Sequence, residues 1–227
     1  MNALERVWEY REETVYPSLF GPASRGTFVL SFELFKEVFS TENIDPRWLH
    51  YGVIEYGPTQ ARDSWIYVTT ATSNPWEAES DNYNKSEFSG FGTELVLEVP
   101  KQGDWAIVVL QRLLAFNILL GHGHFGTKPM LDYGDRIPLR SPITLTGESR
   151  LRNIVITLPK HYESRFTLES GQVDLLHLVG ISDREVAYGQ QQGNTALLKR
   201  LEEKGYSPVT LPDRNELDDI SIRQNGD

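Results

Sequence analysis

An α+β fold in one domain is predicted by three observations. Helical and extended patterns do not alternate strictly along the chain, which argues against a doubly wound parallel sheet. No linker, repeat or shift in composition divides the 227 residues, a length compatible with one large domain or two small ones. One run, VDLLHLVGI at positions 173–181, is almost continuously apolar. A central strand covered on both faces has that character.

The first helix is expected over residues 3–16, where Leu4, Val7, Trp8 and Val15 fall near helical spacing and Pro17 follows as a stop. A short helix is expected at 31–39, with Leu34, Phe35, Val38 and Phe39 at i, i+1, i+4 and i+5. Residues 51–56 and 65–70 are rich in aromatic and β-branched side chains, and Gly57-Pro58 begins the turn between them. This predicts a β-hairpin with a long loop. Residues 74–92 carry Gly, Ser and Asn clusters and are expected to form a loop. Residues 93–99 alternate, with Leu95, Leu97 and Val99 on one side and Glu94 and Glu98 on the other, as in a strand with one solvated side.

The strongest helix opens at Gly103-Asp104, with Asp104 suited to accept a first-turn amide as N-cap. Trp105, Val108, Val109, Arg112, Leu113, Phe116 and Leu120 trace its stripe, and Gly121 suits its end. Strands are expected at 153–158 and 173–181. Ser182 and Glu185 have capping-box spacing, opening a helix to about residue 190, and a last helix runs from Asn194 to Lys204. The domain is taken as residues 1–212. Residues 213–227, with Glu216, Asp218, Asp219 and Asp227 among few apolar side chains, are expected to form an acidic, flexible tail.

Composition narrows the function. Twenty-two basic and 32 acidic residues give a formal charge of −10, which disfavours nucleic-acid binding through a broad basic face. The chain has no cysteine, so disulfides, thiolate metal sites and a cysteine nucleophile are excluded. The charged N-terminus lacks the apolar run of a secretory signal. The most apolar stretch, 105–120, is broken by Gln111, Arg112 and Asn117 and is shorter than the ~20 residues of a membrane span. The expected location is cytoplasmic, without a membrane partner.

Catalytic signals are weak. Gly121-His122-Gly123-His124-Phe125-Gly126 has the three spaced glycines of a dinucleotide loop. That chemistry needs a strand before it and a helix after it, whereas here a helix precedes and Pro129 and Pro138 follow. His122 and His124 lack the third and fourth ligands of a zinc site. Ser89 precedes Gly90 but lacks the earlier glycine of a nucleophile elbow. Asp132 with Asp135 and Asp218 with Asp219 are the acid pairs expected by chance in so acidic a chain. No catalytic residue, metal or cofactor is assigned. Charge position says more: residues 55–98 hold eight acidic side chains against Arg62 and Lys85, a local excess of −6. Such a stretch either solubilises the fold or steers a basic partner. Glu77, Glu79 and Asp81 are its candidate partner-binding residues.

An ordered series of segments resembles the suppressor-of-fused domain family. Trp65-Ile66-Tyr67-Val68 and Asn74-Pro75-Trp76-Glu77 resemble its aromatic strand and following loop. Ser89-Gly90-Phe91-Gly92-Thr93-Glu94-Leu95 is similar to its glycine-flanked strand entry. Trp105 with Leu113-Leu114-Ala115-Phe116 resembles the central helix, and Val173 to Gly180 with Leu197-Leu198 the late strand and closing helix. The resemblance covers about residues 48–201, and DPRWLHYGV at 45–53 is similar to the bacterial branch.

This resemblance implies a mixed β-sheet with flanking helices and a role in binding proteins without catalysis. The animal regulators restrain a transcription factor by gripping a short extended peptide between this domain and a second one. Here the central-helix aromatic that helps grip the peptide falls on Phe116, a further candidate partner-binding residue. The acidic residue expected after Phe125 gives way to the Lys128-Pro129 neighbourhood. Stand-alone bacterial members are inferred to be immunity proteins that neutralise polymorphic toxins. The leading expectation is therefore a cytoplasmic immunity protein that binds a basic toxin domain. The alternative is a regulatory or scaffold protein that binds a linear peptide of its partner.

Overall fold

The computed structural model describes residues 2–218. Asn2 caps the first helix, α1 (Ala3–Glu9), through a reciprocal pair with Glu5. The chain then widens into a π-helical turn, Tyr10–Val15, and continues as α2 (Tyr16–Phe20). Pro17 therefore does not stop the helix. It lies in the first turn of α2, where a missing amide and a fixed φ cost little.

The eight strands of the described residues form one sheet: β1 (Phe28–Val29), β2 (Gly52–Tyr56), β3 (Trp65–Thr70), β4 (Phe88–Val99), β5 (Arg136–Pro138), β6 (Leu151–Thr157), β7 (Arg165–Leu168) and β8 (Gly171–Ser182). Their order is β1-β2-β3-β4-β8-β6-β5, and β7 pairs with the first part of β8. Only β4 and β8 run parallel, with Leu95 opposite Leu176 and Leu97 opposite Leu178; the remaining pairs are antiparallel. The sheet is mixed, and its helices flank it. This is the α+β architecture the residue patterns and the resemblance predict.

Side-chain alternation sorts the core into two layers. Leu95, Leu97 and Val99 of β4 join Val53 and Tyr67 beneath α4 (Asp104–Gly121). Val96, with Ile54, Tyr56, Ile66 and Val68, packs beneath Val15, Tyr16 and Phe20 of the N-terminal helical segment. β4 is thus covered on both sides, and its Glu94 and Glu98 are fully buried, contrary to the solvated side expected from charge alternation. Glu94 accepts hydrogen bonds from the Ser73 amide and hydroxyl and from Thr69 Oγ1, so its lone pairs are satisfied without water. Glu55 of β2 is also fully buried and takes a two-point contact from Arg25, at 2.8 and 2.6 Å. Burial opposes its charge, but the bonds from Arg25 and Gln102 outweigh it and keep its carboxyl below the ordinary range.

Two local expectations also shift. The segment expected as loop up to residue 92 already pairs as β4 from Phe88, through a bulge between Phe88 and Thr93. Gly90 allows this, because its φ is +56° and a Cβ there would lie 2.5 Å from the Asn74 carbonyl oxygen. At the start of α4, Gly103 occupies the N-cap, and Asp104, one residue inside, pairs with Arg25 at 2.9 Å. Eleven residues of α4, among them Leu110, Leu114 and Ile118, are buried against the rest of the chain. Its apolarity is therefore that of a core helix.

The C-terminal part closes over β6 and β8. Ser182 and Glu185 form the expected reciprocal cap of α5 (Asp183–Gln192), and α6 (Asn194–Glu203) follows. Val155, Val179, Ile181, Leu197, Leu201 and Leu217 make a core of their own. Leu217 lies beyond the boundary set at residue 212, and Arg214 is buried there with it. Packing thus extends past the expected start of the tail. Residues 219–227, with Asp219 and Asp227, lie outside the described residues.

Candidate protein-binding groove

Three segments that the sheet brings together build an aromatic groove of about 320 Å³. The first is the 3₁₀ turn Pro46–His50, held by Asp45, whose carboxylate caps the Arg47 amide. The second is the crossing from β3 together with the first residues of β4. The third is the C-terminal end of α4. Trp48 comes from the first, Trp76, Phe88 and Phe91 from the second, and His122 from the third.

The rings hold one another. The His122 ring lies 4.9 Å from Trp48 and 5.6 Å from Phe91, and Tyr51 stacks on Trp76 at 6.3 Å with planes only 7° apart. Trp8 of α1 meets Trp76 edge-on at 5.5 Å, so the N-terminal helix buttresses the groove. Burial holds the Tyr51 phenol well above its usual pKa, and it stays neutral in the physiological range.

Beneath the rings lies a buried polar layer. Arg11, only 1% exposed, donates to Ser73 Oγ at 3.0 Å and to Asn74 Oδ1 at 2.7 Å. Those bonds fix the chain immediately before Trp76, so the groove is preformed rather than left to loop motion.

The rim is acidic. Glu77 lines the groove and keeps its side chain 82% exposed while accepting from Arg47 at 2.6 Å. Arg47 also donates to Asp45, and this bonding holds the Asp45 carboxyl below the ordinary range. The one arginine of the groove is thus shared by two carboxylates. Glu79 and Asp81 follow Glu77 along the exposed turn Ser80–Asn82. Of the three candidate residues only Glu77 lines the groove; Glu79 and Asp81 lie on the turn between its lining residues Ala78 and Asn82.

Phe116 is placed elsewhere. It faces Phe39 at 6.4 Å and Phe125 at 5.2 Å, between α3 (Phe32–Phe39) and the loop after α4. It does not join the acidic residues. The burial of Glu55, Glu94 and Glu98 also halves the surface excess of residues 55–98, from −6 to −3. What remains exposed clusters near the groove, at Glu77, Glu79, Asp81 and Glu87, with Asp63 apart. The sequence offers one signal for the groove that charge counting passes over: aromatics at 48, 51, 76, 83, 88 and 91 flank the acidic stretch on both sides.

The glycine-histidine loop lies after α4 and before a segment without helix. His122 lies against Trp48 and Phe91 but stays exposed, and His124 Nε2 lies 3.2 Å from Thr41 Oγ1. Among the described residues no three His, Asp or Glu side chains gather as a metal site. Ser89 is buried, donating to the Ser73 carbonyl and contacting Ser170 Oγ.

The mixed sheet bears α4 on one face and the N-terminal helices on the other, and it carries an aromatic groove with exposed acids. The chain belongs to the suppressor of fused protein (SUFU) family, whose profile matches residues 47–215. Solved structures repeat the fold at low identity. A SUFU homologue from Neisseria gonorrhoeae is 14% identical with a TM-score of 0.63, over 94% of this chain and 98% of that one. Drosophila Suppressor of Fused is 19% identical with a TM-score of 0.59, and the match spans 84% of this chain but half of that protein. A chain of the Sufu–Fu complex is 18% identical with the same TM-score, over 84% of this chain and 90% of its own length. A comparison with curated protein sequences gives no match.

Proposed function

We propose that the protein is a non-catalytic binding module acting in the cytoplasm as an immunity protein: it neutralises a basic toxin domain by one-to-one binding. The observation that carries this reading is the aromatic groove lined by Glu77 and Glu87, with Glu79 and Asp81 on the adjoining exposed turn. Rigid aromatic walls provide anchoring area at low entropic cost, and arginine or lysine side chains stack on such rings while pairing with carboxylates. Family membership supports the binding role. The acidic rim supports a basic partner by raising its encounter rate.

A second reading is supported by the groove's size. A volume near 320 Å³ suits a few side chains of an extended segment, and a complex with Fu occurs among the structural relatives. Under it the partner docks a linear peptide, and the surrounding surface contributes little.

Co-expression with the products of neighbouring reading frames tests both. The expected result is a one-to-one complex in which the partner's toxicity is abolished. A complex that leaves toxicity intact would contradict the immunity role. Full affinity retained by a short peptide of the partner would favour the second reading.

A further inference from the structure

A second cleft, distinct from the aromatic groove, opens on the sheet face away from α4 and measures about 810 Å³. It lies among α2, the β2–β3 turn, the end of β4, and the segments around residues 161 and 210. Its size falls in the range of small-molecule sites, which are typically apolar with a few convergent polar groups. Leu19, Phe20, Pro100, Val209 and Leu211 supply the apolar wall.

Glu98 lines this cleft although it is fully buried. Ser64 donates to its Oε1, and the His161 Nδ1 lies 3.1 and 3.2 Å from its two oxygens. Among the described residues no arginine or lysine bonds to it. Arg62, the nearby cation, spends its guanidinium on the carbonyls of Ser64, Phe20 and Gly57. Asp63 adds a further carboxylate to the lining. Glu98 Oε2 has only the long contact to His161, which leaves it acceptor capacity. Its ion-pair partner among the described residues is the half-exposed His161 at 3.1 Å, and a cation brought to a buried carboxylate relieves the cost of its burial.

The lining is held in place from below. His177 Nε2 lies 2.9 Å from the Pro208 carbonyl, which only accepts, so this nitrogen carries the proton. Nδ1 is then the acceptor for the Tyr162 hydroxyl at 2.7 Å. This chain ties the segment bearing His161 to the one bearing Val209 and Leu211.

We infer that this cleft binds a primary ammonium ion on an apolar stem, with Glu98 as its counter-ion. The stem lies along Leu19, Phe20 and Leu211, and the ammonium takes the place of the half-exposed His161 ring to donate to Glu98 Oε2. The chemistry is shared by a free arylalkylamine and by a lysine side chain of a partner protein.

Amide chemical-shift titrations of the ¹⁵N-labelled full chain at about pH 7.5 test this, because a primary amine stays protonated there. Benzylamine should saturate shifts at residues 62–64, 98–100 and 161–162, at least about tenfold more tightly than the neutral benzyl alcohol. Glu98→Gln should remove that preference. Leu211→Trp, which fills the cleft without touching the carboxylate, should abolish binding while the rest of the spectrum is retained. It decides the matter if Glu98→Gln fails to fold. Nα-acetyl-lysine N-methylamide separates the sources: saturation at the same amides identifies a lysine side chain, and binding of benzylamine alone identifies a free amine. No binding by either amine, equal binding of the alcohol, or an unchanged preference in folded Glu98→Gln would overturn the inference.

Discussion

Arg214 and Glu185 make a buried two-point ion pair, with both distances 2.6 Å and side chains 1% and 0% exposed. Arg214 also donates to the Gly180 carbonyl, and Glu185 accepts from the Leu217 amide. Arg214→Leu leaves a buried carboxylate short of its cation, so it should cost about 3–5 kcal/mol in urea unfolding. A cost below about 1 kcal/mol would mean that the segment after residue 212 contributes little. Trp105 is a different case. It is half-buried and packs on the α4 core from its edge, so Trp105→Ala should cost less than the ~3–5 kcal/mol of full burial. Denaturant titration of that variant checks the figure. Glu94 marks what residue patterns cannot convey. Its alternation with Leu95 is that of a half-exposed strand, yet Ser73 and Thr69, more than twenty positions earlier, satisfy its carboxylate. Contacts that distant leave no local signature.

Elements defined by neighbouring residues were legible. The Ser182–Glu185 cap was readable because both its bonds close within one helical turn. The central position of β8 was readable because only Asp174 and His177 interrupt the apolar run at 173–181. The π-helical turn before Pro17 was not, since it depends on how the N-terminal segment lies across the sheet. The groove falls between these cases: Glu77 could be picked out by charge, whereas the meeting of His122 with Trp48 and Phe91 needs three separate elements. The 77–81 segment carries its own prediction. Reversing Glu77, Glu79 and Asp81 to Lys should lower the association rate with the partner about tenfold or more at low salt. Stability should hardly change, because the exposed Glu77–Arg47 pair is worth at most about 1 kcal/mol. Stopped-flow association against ionic strength reads the effect, which should shrink as salt screens it.

At the scale of the molecule, the β4–β8 pair joins both halves of the chain in one sheet, and the protein is expected to unfold as one cooperative unit. Limited proteolysis should cut the exposed stretch between Glu77 and Glu87 without releasing two stable halves. Acid should weaken the fold through His177, which is fully buried and whose pKa burial depresses. Its unfolded value is about 6.5, so this contribution is complete above that pH. Below it the unfolded chain binds the proton that the folded one refuses, and stability falls as pH drops towards the depressed native value. Thermal melts between about pH 8 and 5 should show that decline, and His177→Gln should flatten it.

The central claim is that the partner seats in the aromatic groove. Hydrogen–deuterium exchange of the protein, alone and in its one-to-one complex, tests this most directly. Protection should concentrate at residues 45–51, 74–91 and 119–124, with the sheet face away from α4 unchanged. Protection that spares all three segments and falls elsewhere would contradict the assignment.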